Sequence, residues 1–243
     1  RSPSRGLGDV YKRQEQYKIK NSIPTKWFDM SLVRAQNILL EHALQDPNNK
    51  HIIFISNSCI PLKNFNYIYS FLNPKYSYFN LFNQAFKKRW EKDTNIPIHI
   101  DYIQKASQWC ILNRKHASLV LQYKDYEKWF SKLSDITYTE RMSRGAPDEY
   151  SYISTLYYHN LHNELKITHN KADGATTFTN WYSMKYKYPM KQEVNFLKNY
   201  NYIDTDELNY LLQSSSLFGR KFKKDAYKSI IHNNRYIQTI QTI

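Results

Sequence analysis

Residues 31–56, SLVRAQNILLEHALQDPNNKHIIFIS, pass from a helical pattern into a strand pattern and so indicate the fold class. Apolar side chains in the first part recur at the spacing of one helix face, which predicts an amphipathic helix over 31–45 with Ser31 as its N-cap. The last six residues, HIIFIS, form a short β-branched and aromatic run, which is typical of a buried strand over 51–56. A helix followed directly by a buried strand is the building unit of layered α/β proteins.

The same alternation continues along the chain. In chain order, the patterns predict a turn at NSCIPL, a helix at 64–72, a strand at 76–82, a polar loop at 85–100, a strand at 108–112, a helix at 114–122 capped by Asn113, helices at 125–133 and 147–161, a strand pair within 164–180 that turns at Asp173 and Gly174, a capped helix at 205–213, a strand at 216–222 and a terminal helix at 225–238. We therefore predict an α/β domain in which a mixed sheet is flanked by helices.

Residues 1–14, RSPSRGLGDVYKRQ, differ in character from everything after them. This short piece holds two of the five glycines and shows no apolar periodicity. It resembles the translated adapter sequences found at the ends of transcript-derived reading frames, so we expect it not to be native. The remainder, 15–243, contains no repeat or low-complexity linker, and we predict a single domain there, truncated at its N-terminus.

The composition limits the function classes without choosing one. The chain has 243 residues, 41% of them hydrophobic, so it can bury a full core. Its formal net charge of +14 favours an anionic partner, such as a nucleic acid, a membrane surface or a phosphorylated small molecule. Because the cations are scattered rather than gathered in one tract, a nucleic-acid-binding arm is not expected.

The two cysteines, Cys59 and Cys110, are too few for a disulfide framework or a zinc site. Each lies at the end of an apolar run, which predicts two buried thiols, and one bridge between them remains open. No apolar stretch approaches the about 20 residues that a membrane span needs, and no signal peptide is visible.

Two short motifs contain charged residues suited to catalysis. GAPDEY at 145–150 places Asp148 and Glu149 after a proline at the start of a predicted helix. LFGRKF at 217–222 places two adjacent cations, Arg220 and Lys221, in an otherwise apolar run. A carboxylate that takes a proton, together with cations that hold an anionic leaving group, is what transfer of a sugar from a nucleotide requires.

Taken in order, five stretches resemble the core-2/I-branching β-1,6-N-acetylglucosaminyltransferase family. This is glycosyltransferase family fourteen, with plant, algal and viral relatives and the peptide xylosyltransferases. The stretches are WFDMSLVRAQNILLEHALQDPNNKHIIFISNSCIPLKNFNYIYSFL at 27–72, KASQWCILNRKHA at 105–117, GAPDEYSYISTL at 145–156, TTFTNW at 176–181 and SLFGRKF at 216–222.

The resemblance implies a GT-A-like fold, a UDP-sugar donor, an inverting mechanism and independence from metal ions or other cofactors. It also implies that the first strands of the fold, which hold part of the uridine, lie upstream of residue 27. Animal and plant relatives are Golgi membrane proteins that face the lumen, so any membrane attachment is expected through an upstream anchor. The implied partners are a UDP-sugar and a glycan or glycoprotein acceptor, with no nucleic acid.

The resemblance also assigns residue roles. Glu149 matches the catalytic carboxylate, the general base for the acceptor hydroxyl. Lys221 matches a lysine that contacts the diphosphate, and Lys198 falls where animal members place an arginine with the same task. Trp181 matches a tryptophan of the acceptor site, and Trp27 stands where the family has an aromatic residue near the uracil. Ser107, Gln108 and Trp109 belong to a signature that is expected to shape the donor pocket.

Each role has a structural alternative that the residues alone leave open. The two acids of GAPDEY could merely stabilise a helix N-terminus, and Asp148 is interpreted in that way. Lys221 could be a solvated strand residue, and the tryptophans could pack in the core.

Two further patterns suggest metal ligands, and neither is interpreted as a metal site. The triplet at 204–206, Asp-Thr-Asp, spells the acid-x-acid motif of metal-dependent GT-A enzymes, but it is interpreted as a helix cap. His159 and His162 could share a helix face, but no third ligand is placed beside them.

A function from another class also fits the composition. A basic, non-catalytic module that binds nucleic acid or an anionic glycan would account for the positive charge and the 22 tyrosines. Salt separates the two functions, because binding through many phosphate contacts weakens steeply as salt rises.

Overall fold

A computed structural model of the chain describes residues 17–82, 98–134, 146–169, 176–180 and 198–241. Its α-helices are α1 (Met30–Ala43), α2 (Phe65–Phe71), α3 (Arg114–Gln122), α4 (Ser151–Tyr158), α5 (Thr205–Gln213), α6 (Lys224–Ile230) and α7 (Asn234–Gln241). Its strands are β1 (His51–Ile53), β2 (Ile60–Pro61), β3 (Ser77–Leu81), β4 (Ile111–Asn113), β5 (Leu165–His169), β6 (Thr177–Thr179) and β7 (Phe218–Arg220). The predicted adapter segment, most of the predicted loop at 85–100 and the predicted turn at 173–174 lie outside these ranges.

The strands form two mixed sheets. The first has the order β1-β4-β3-β5, in which β4 is antiparallel to both of its neighbours and β5 is parallel to β3. The second has the order β2-β7-β6, in which β2 is antiparallel and β6 parallel to β7. The predicted pairing within 164–180 is therefore wrong, because β5 bonds to the edge of the buried strand β3 while β6 bonds to β7 in the other sheet.

Helices pack against both sheets, and two of the apolar clusters join helices to a sheet. One cluster joins the first sheet to α1, α3 and α4, with members such as Val33, Leu40, Phe79, Leu112 and Leu156. A second joins the other sheet to α5, α6 and α7, with members such as Leu62, Phe178, Leu211, Ala226 and Tyr236. The predicted mixed α/β class is confirmed, and the arrangement is consistent with a GT-A-like glycosyltransferase fold.

The N-caps of α3 and α1 show where the sequence predicted the start of a helix correctly and where it did not. Asn113 caps α3 as predicted, because its side chain accepts a hydrogen bond from the His116 N–H at 2.7 Å. The prediction of Ser31 as the cap of α1 is wrong. Asp29 is extended and accepts from the Ser31 N–H at 2.8 Å, while the Ser31 hydroxyl accepts from the Lys26 N–H at 3.0 Å.

Three predicted helices differ from the structure. Residues 125–133 form a 3₁₀-helix, Lys124–Ser134, whose period of three places Tyr126 on Trp129 with ring centroids 3.8 Å apart. The helix expected at 147–161 begins as a 3₁₀ turn, Pro147–Glu149, before α4. The terminal helix is broken into α6 and α7.

The cysteines are both free. Cys110 is buried as predicted, but Cys59 is only half-buried and does not bridge to it. Among the described residues, no helix is both long and apolar enough to cross a membrane.

Candidate active site

Residues 105–109 connect the two motifs that the sequence singled out. At one end, the Lys105 Nζ lies 3.3 Å from the Glu149 Oε2. At the other end, the Arg220 guanidinium lies over the Trp109 ring, with its Cζ 4.2 Å from the ring centroid. The fold thus places the predicted base and the predicted cationic strand at the two ends of one short segment.

Backbone hydrogen bonds hold this segment in place. The Ala106 N–H donates to the Glu149 carbonyl at 2.8 Å, and the Ser107 N–H donates to the Asn80 carbonyl of β3 at 2.9 Å. The Trp109 carbonyl accepts from the Thr176 hydroxyl at 2.9 Å, just before the chain enters β4. The segment is therefore bonded to three separate parts of the fold before its side chains make any contact.

Glu149 is anchored through one of its two carboxylate oxygens. Its Oε2 accepts from the Ala146 N–H at 3.0 Å and lies within ion-pair distance of Lys105, whereas no described residue bonds to Oε1. The Glu149 side chain is 22% exposed. The anchored oxygen orients the carboxylate, and Oε1 remains available to accept a proton from a bound molecule.

Asp148, the neighbouring carboxyl, has a different environment. It is only 6% exposed, and neither of its oxygens has a hydrogen-bond partner among the described residues. Burial, and then the negative charge of Glu149, raise the pKa of Asp148 to about 7. The buried acid thus resists ionisation, and the more accessible Glu149 is the better candidate for contact with a substrate.

Arg220 and Lys221 lie at the end of β7 and beyond it. Both are half-buried. Burial lowers the pKa of Arg220, which is hydrogen-bonded to the thiol of Cys59. The backbone of Lys221 is fixed because its carbonyl accepts from the Tyr200 N–H at 2.8 Å. No acidic side chain among the described residues pairs with either cation.

Lys198 differs from these two cations because an acid neutralises it. Its Nζ lies 2.7 and 2.9 Å from the two carboxylate oxygens of Glu207, which also accepts from the Tyr200 hydroxyl at 2.9 Å. The backbone of Tyr200 pairs with Lys221, so Lys198 lies on a neighbouring segment. Its predicted contact with a diphosphate would compete with Glu207.

Of the two tryptophans predicted to bind substrate, Trp27 is not joined to this centre. Trp27 is 64% exposed just before α1, and its ring lies 4.2 Å from that of Phe28, with no described contact to Glu149 or Arg220. Trp181 lies outside the described residues.

The acidic triplet at 204–206 is a helix cap, as predicted. Asp204 accepts a hydrogen bond from the Glu207 N–H at 2.7 Å at the start of α5. Across the part of the chain that the structure describes, no group of three His, Cys, Asp or Glu side chains could hold a metal ion.

Sequence reasoning missed Lys105 and Cys59 as members of the site. Lys105 is the first residue of the quoted stretch KASQWCILNRKHA, and a cation two residues before Ser107 was the available signal. Cys59 was interpreted only as a buried thiol, and nothing in its local sequence indicates a contact with Arg220.

Comparisons with known proteins identify a family and a relative of this chain. The family model described as Core-2/I-Branching enzyme matches residues 7–208, a range that includes Glu149 and residues 105–109 and ends before β7. A protein of Oryza sativa subsp. japonica named Glycosyltransferase BC10 is 35% identical over 126 residues, which are 51% of this chain but only 31% of the rice protein. Because the family match covers well over half of the sequence, the chain belongs to the Core-2/I-Branching enzyme family.

Proposed function

We propose that this protein is an inverting glycosyltransferase that moves a sugar, GlcNAc or xylose, from a UDP-sugar to a hydroxyl of a glycan or glycoprotein acceptor. The observation that carries the proposal is the anchored carboxylate of Glu149 at one end of residues 105–109 and, at the other end, cations that no described acid pairs with. The family match and the name of the rice relative support it.

Glu149 is the general base of the proposed reaction. The acceptor oxygen attacks the anomeric carbon from the face opposite UDP, and its proton passes to Oε1 of Glu149, to which no described residue bonds. The bond between the anomeric carbon and the phosphate oxygen breaks, and its electron pair leaves with UDP. A positioned general base contributes about 10²- to 10⁴-fold to a rate.

Lys221 is proposed to hold the diphosphate as its negative charge develops. Fixed cations in a partly desolvated site stabilise such charge strongly, because little reorganisation is needed during the reaction. In this proposal the protein's own cations do the work that a metal ion does in other GT-A enzymes.

The remaining predicted residues have secondary roles in the proposal. Lys198 contributes to diphosphate binding only when the ligand draws it away from Glu207. Trp27 offers an exposed indole face to the uracil. Trp181, which lies outside the described residues, is proposed to contact the acceptor sugar. The proposed location is the lumenal side of the Golgi membrane, with attachment through a segment upstream.

The test is release of UDP from a panel of UDP-sugars by the full-length protein in the presence of EDTA. Wild type is compared with Glu149→Gln and with a control, Glu41→Gln, which removes an exposed acid of α1. We expect release from one donor, survival in EDTA and a loss of at least about 100-fold in Glu149→Gln alone. Release that is untouched by Glu149→Gln would contradict the assignment of the base.

Absence of release from every donor would favour the non-catalytic alternative. Binding to nucleic acid or to an anionic glycan would then be measured across a salt series, where a steep fall identifies contacts to many phosphate or sulfate groups.

A further inference from the structure

A pocket of about 510 Å³ lies between the end of α2, the strand β5 and the residues that lead into β7. Its volume and its lining are those of a small-molecule site, in which apolar and aromatic side chains surround a few polar groups. The lining includes the rings of Phe71, Tyr76 and Tyr78 and the polar side chains of Asn73 and Lys166. None of these residues has a role in the proposed transfer reaction.

Aromatic rings line the pocket and continue beyond it. The ring centroid of Phe71 lies 5.6 Å from that of Tyr78 and 6.2 Å from that of Tyr67. Tyr78 is buried, whereas Tyr67 and Phe71 are 45% and 46% exposed. The aromatic surface therefore runs from a buried wall of the pocket to the exposed face of α2. Such rings suit the C–H faces of sugars, which are the least polar part of a carbohydrate.

Two hydroxyl groups of the pocket are engaged by the protein itself. The Thr168 hydroxyl donates to the Asn80 side chain at 2.5 Å. The Thr176 hydroxyl donates to the Trp109 carbonyl at 2.9 Å. The protons of both hydroxyls are thus committed to the fold, and these two residues shape the pocket more than they bind a ligand.

Two exposed donors of the pocket are not engaged in this way. The Lys166 Nζ lies 4.2 Å from the centroid of the Tyr76 ring, and no described acid pairs with it. The Asn73 Oδ1 accepts from the Lys75 N–H at 2.9 Å, while the NH₂ group of the same side chain donates to no described residue. Lys75 places a second ammonium 5.5 Å from the Tyr76 centroid, again without a described acid. A ligand that satisfies these donors must supply acceptor atoms and negative charge.

We propose that this pocket binds an anionic sugar residue of a glycan, one that has a carboxylate or a sulfate. The Lys166 ammonium and the Asn73 NH₂ group bind the anion, and Phe71 stacks on the sugar ring. Tyr67 continues the stacking surface for the next sugar of the chain. Tyr76 is a positioning residue, because its ring holds the Lys166 ammonium in place.

The pocket is linked to the candidate active site through Thr176. This residue lines the pocket and is bonded to the carbonyl of Trp109, the last member of residues 105–109. As a subsite for the acceptor, the pocket rests on the proposed function, and it narrows the acceptor to glycans that contain an anionic sugar. Binding of the anionic sugar itself does not depend on turnover.

The first experiment measures binding of three disaccharides to the full-length protein by calorimetry, without a donor. One ends in glucuronate, one in glucose and one in glucose that is sulfated at the carbon where glucuronate has its carboxylate. We expect one charged disaccharide to bind at least about tenfold more tightly than the neutral one, as for a hydrogen bond to a charged group. The tighter of the two charged ligands identifies the anion. Equal affinity for all three, or binding of none, would overturn the proposal.

Variants test the ammonium and the ring separately. Lys166→Met should abolish the preference for the charged disaccharide, and Lys166→Arg should retain it. Phe71→Ala should weaken the charged and neutral disaccharides alike, because it removes a stacking surface and no charge. Phe65→Ala is the matched control, since Phe65 is 76% exposed on the same helix but does not line the pocket. An unchanged preference in Lys166→Met would contradict the proposal.

A membrane surface is the other ligand that exposed aromatic residues beside cations could bind. Vesicles that contain phosphatidylserine separate the two, because Phe65 and Tyr69, which are 76% and 71% exposed, would contribute most to membrane binding. We expect no vesicle binding and a saccharide affinity that depends on Lys166. Vesicle binding that is lost in Phe65→Ala, without affinity for any disaccharide, would overturn the proposal.

The outcomes are separable from those that test the proposed function. Lys166-dependent binding of a charged disaccharide by a protein that turns over no UDP-sugar would keep the pocket and reject the transferase. In an active protein, Lys166→Met should raise the KM for an acceptor with an anionic sugar about tenfold and leave kcat unchanged. An unchanged KM for that acceptor would overturn the acceptor role of the pocket and leave the transferase assignment intact.

Discussion

The two ends of residues 105–109 treat charge in opposite ways. At the Glu149 end, a carboxylate and the Lys105 ammonium neutralise each other, and a backbone N–H holds the carboxylate in one orientation. At the Arg220 end, a guanidinium is held by an aromatic face and a thiol, and no described acid neutralises it. A group that must accept a proton has to be oriented before the substrate arrives. A cation that binds an anionic substrate must instead have no acidic side chain of the protein paired with it.

The largest expected effect compares the two adjacent carboxyls. Glu149→Gln should lower turnover about 10²- to 10⁴-fold, since it removes the proton acceptor. Asp148→Asn should change turnover by less than about tenfold, because Asp148 is buried and resists ionisation. Initial rates of UDP release for both variants test this. Equal losses would mean that the two carboxyls act as one unit.

A comparably large effect concerns stability and pH. The pKa of Asp148 is about 7 in the folded protein against an ordinary value of 3.8, so well below pH 3.8 the group is protonated in both states and costs no stability. As pH rises towards 7 the unfolded chain releases this proton while the folded protein retains it. The contribution of Asp148 to the free energy of unfolding should therefore fall by about 4 kcal/mol and then level off.

Urea unfolding of wild type and Asp148→Asn across pH 4 to 8 measures this fall. The variant should lack it, because asparagine does not titrate. Parallel pH profiles for the two proteins would show that Asp148 is ionised in the folded state. The proposed difference between a protonated Asp148 and an ionised Glu149 would then be wrong.

A smaller effect is expected at the Glu149 end of residues 105–109, where Lys105 pairs with the carboxylate. Lys105→Met leaves the Glu149 carboxylate without its cation, and turnover should fall about tenfold because the orientation of the base is less well defined. Affinity for UDP should not change, since Lys105 lies away from Arg220. Steady-state rates and UDP titrations are compared with those of Lys124→Met, which removes an exposed cation paired with Glu41. A loss of UDP affinity in Lys105→Met would argue against a division of tasks between the two ends.

The smallest effect concerns the acidic triplet near the second sheet. Asp204→Ala removes the N-cap of α5 and should lower the free energy of unfolding by about 1 kcal/mol. Turnover, with or without added Mn²⁺, should remain as in wild type. Thermal unfolding and UDP release measure the two quantities, and a turnover that depends on Asp204 together with Mn²⁺ would reveal a metal role for the triplet.

Local patterns predicted much of the secondary structure and part of the site. The helices α3 and α5 begin and end where the periodicity and the caps placed them, because those signals involve residues within one helical turn of each other. Glu149 lies in a 3₁₀ turn that begins with Pro147, where the sequence predicted the first turn of a helix. The helix predicted at 125–133 has another geometry, since stacking of Tyr126 on Trp129 favours a period of three.

The pairings of distant segments could not be predicted in the same way. Two consecutive strand patterns, β5 and β6, were expected to pair, but each bonds to a strand from elsewhere in the chain. Register and partner depend on which strand edges are open after the core has formed, and no pattern within 164–180 contains that information.

Residue types and their order were thus sufficient for the α/β class, the family resemblance and the choice of Glu149 and Lys221 as candidates. The contact of Lys105 with Glu149, the stacking of Arg220 on Trp109 and the neutralisation of Lys198 by Glu207 came from packing alone. The reason is physical: caps and periodicities depend on neighbours along the backbone, whereas the charge state and orientation of a side chain depend on whichever groups the completed fold brings beside it.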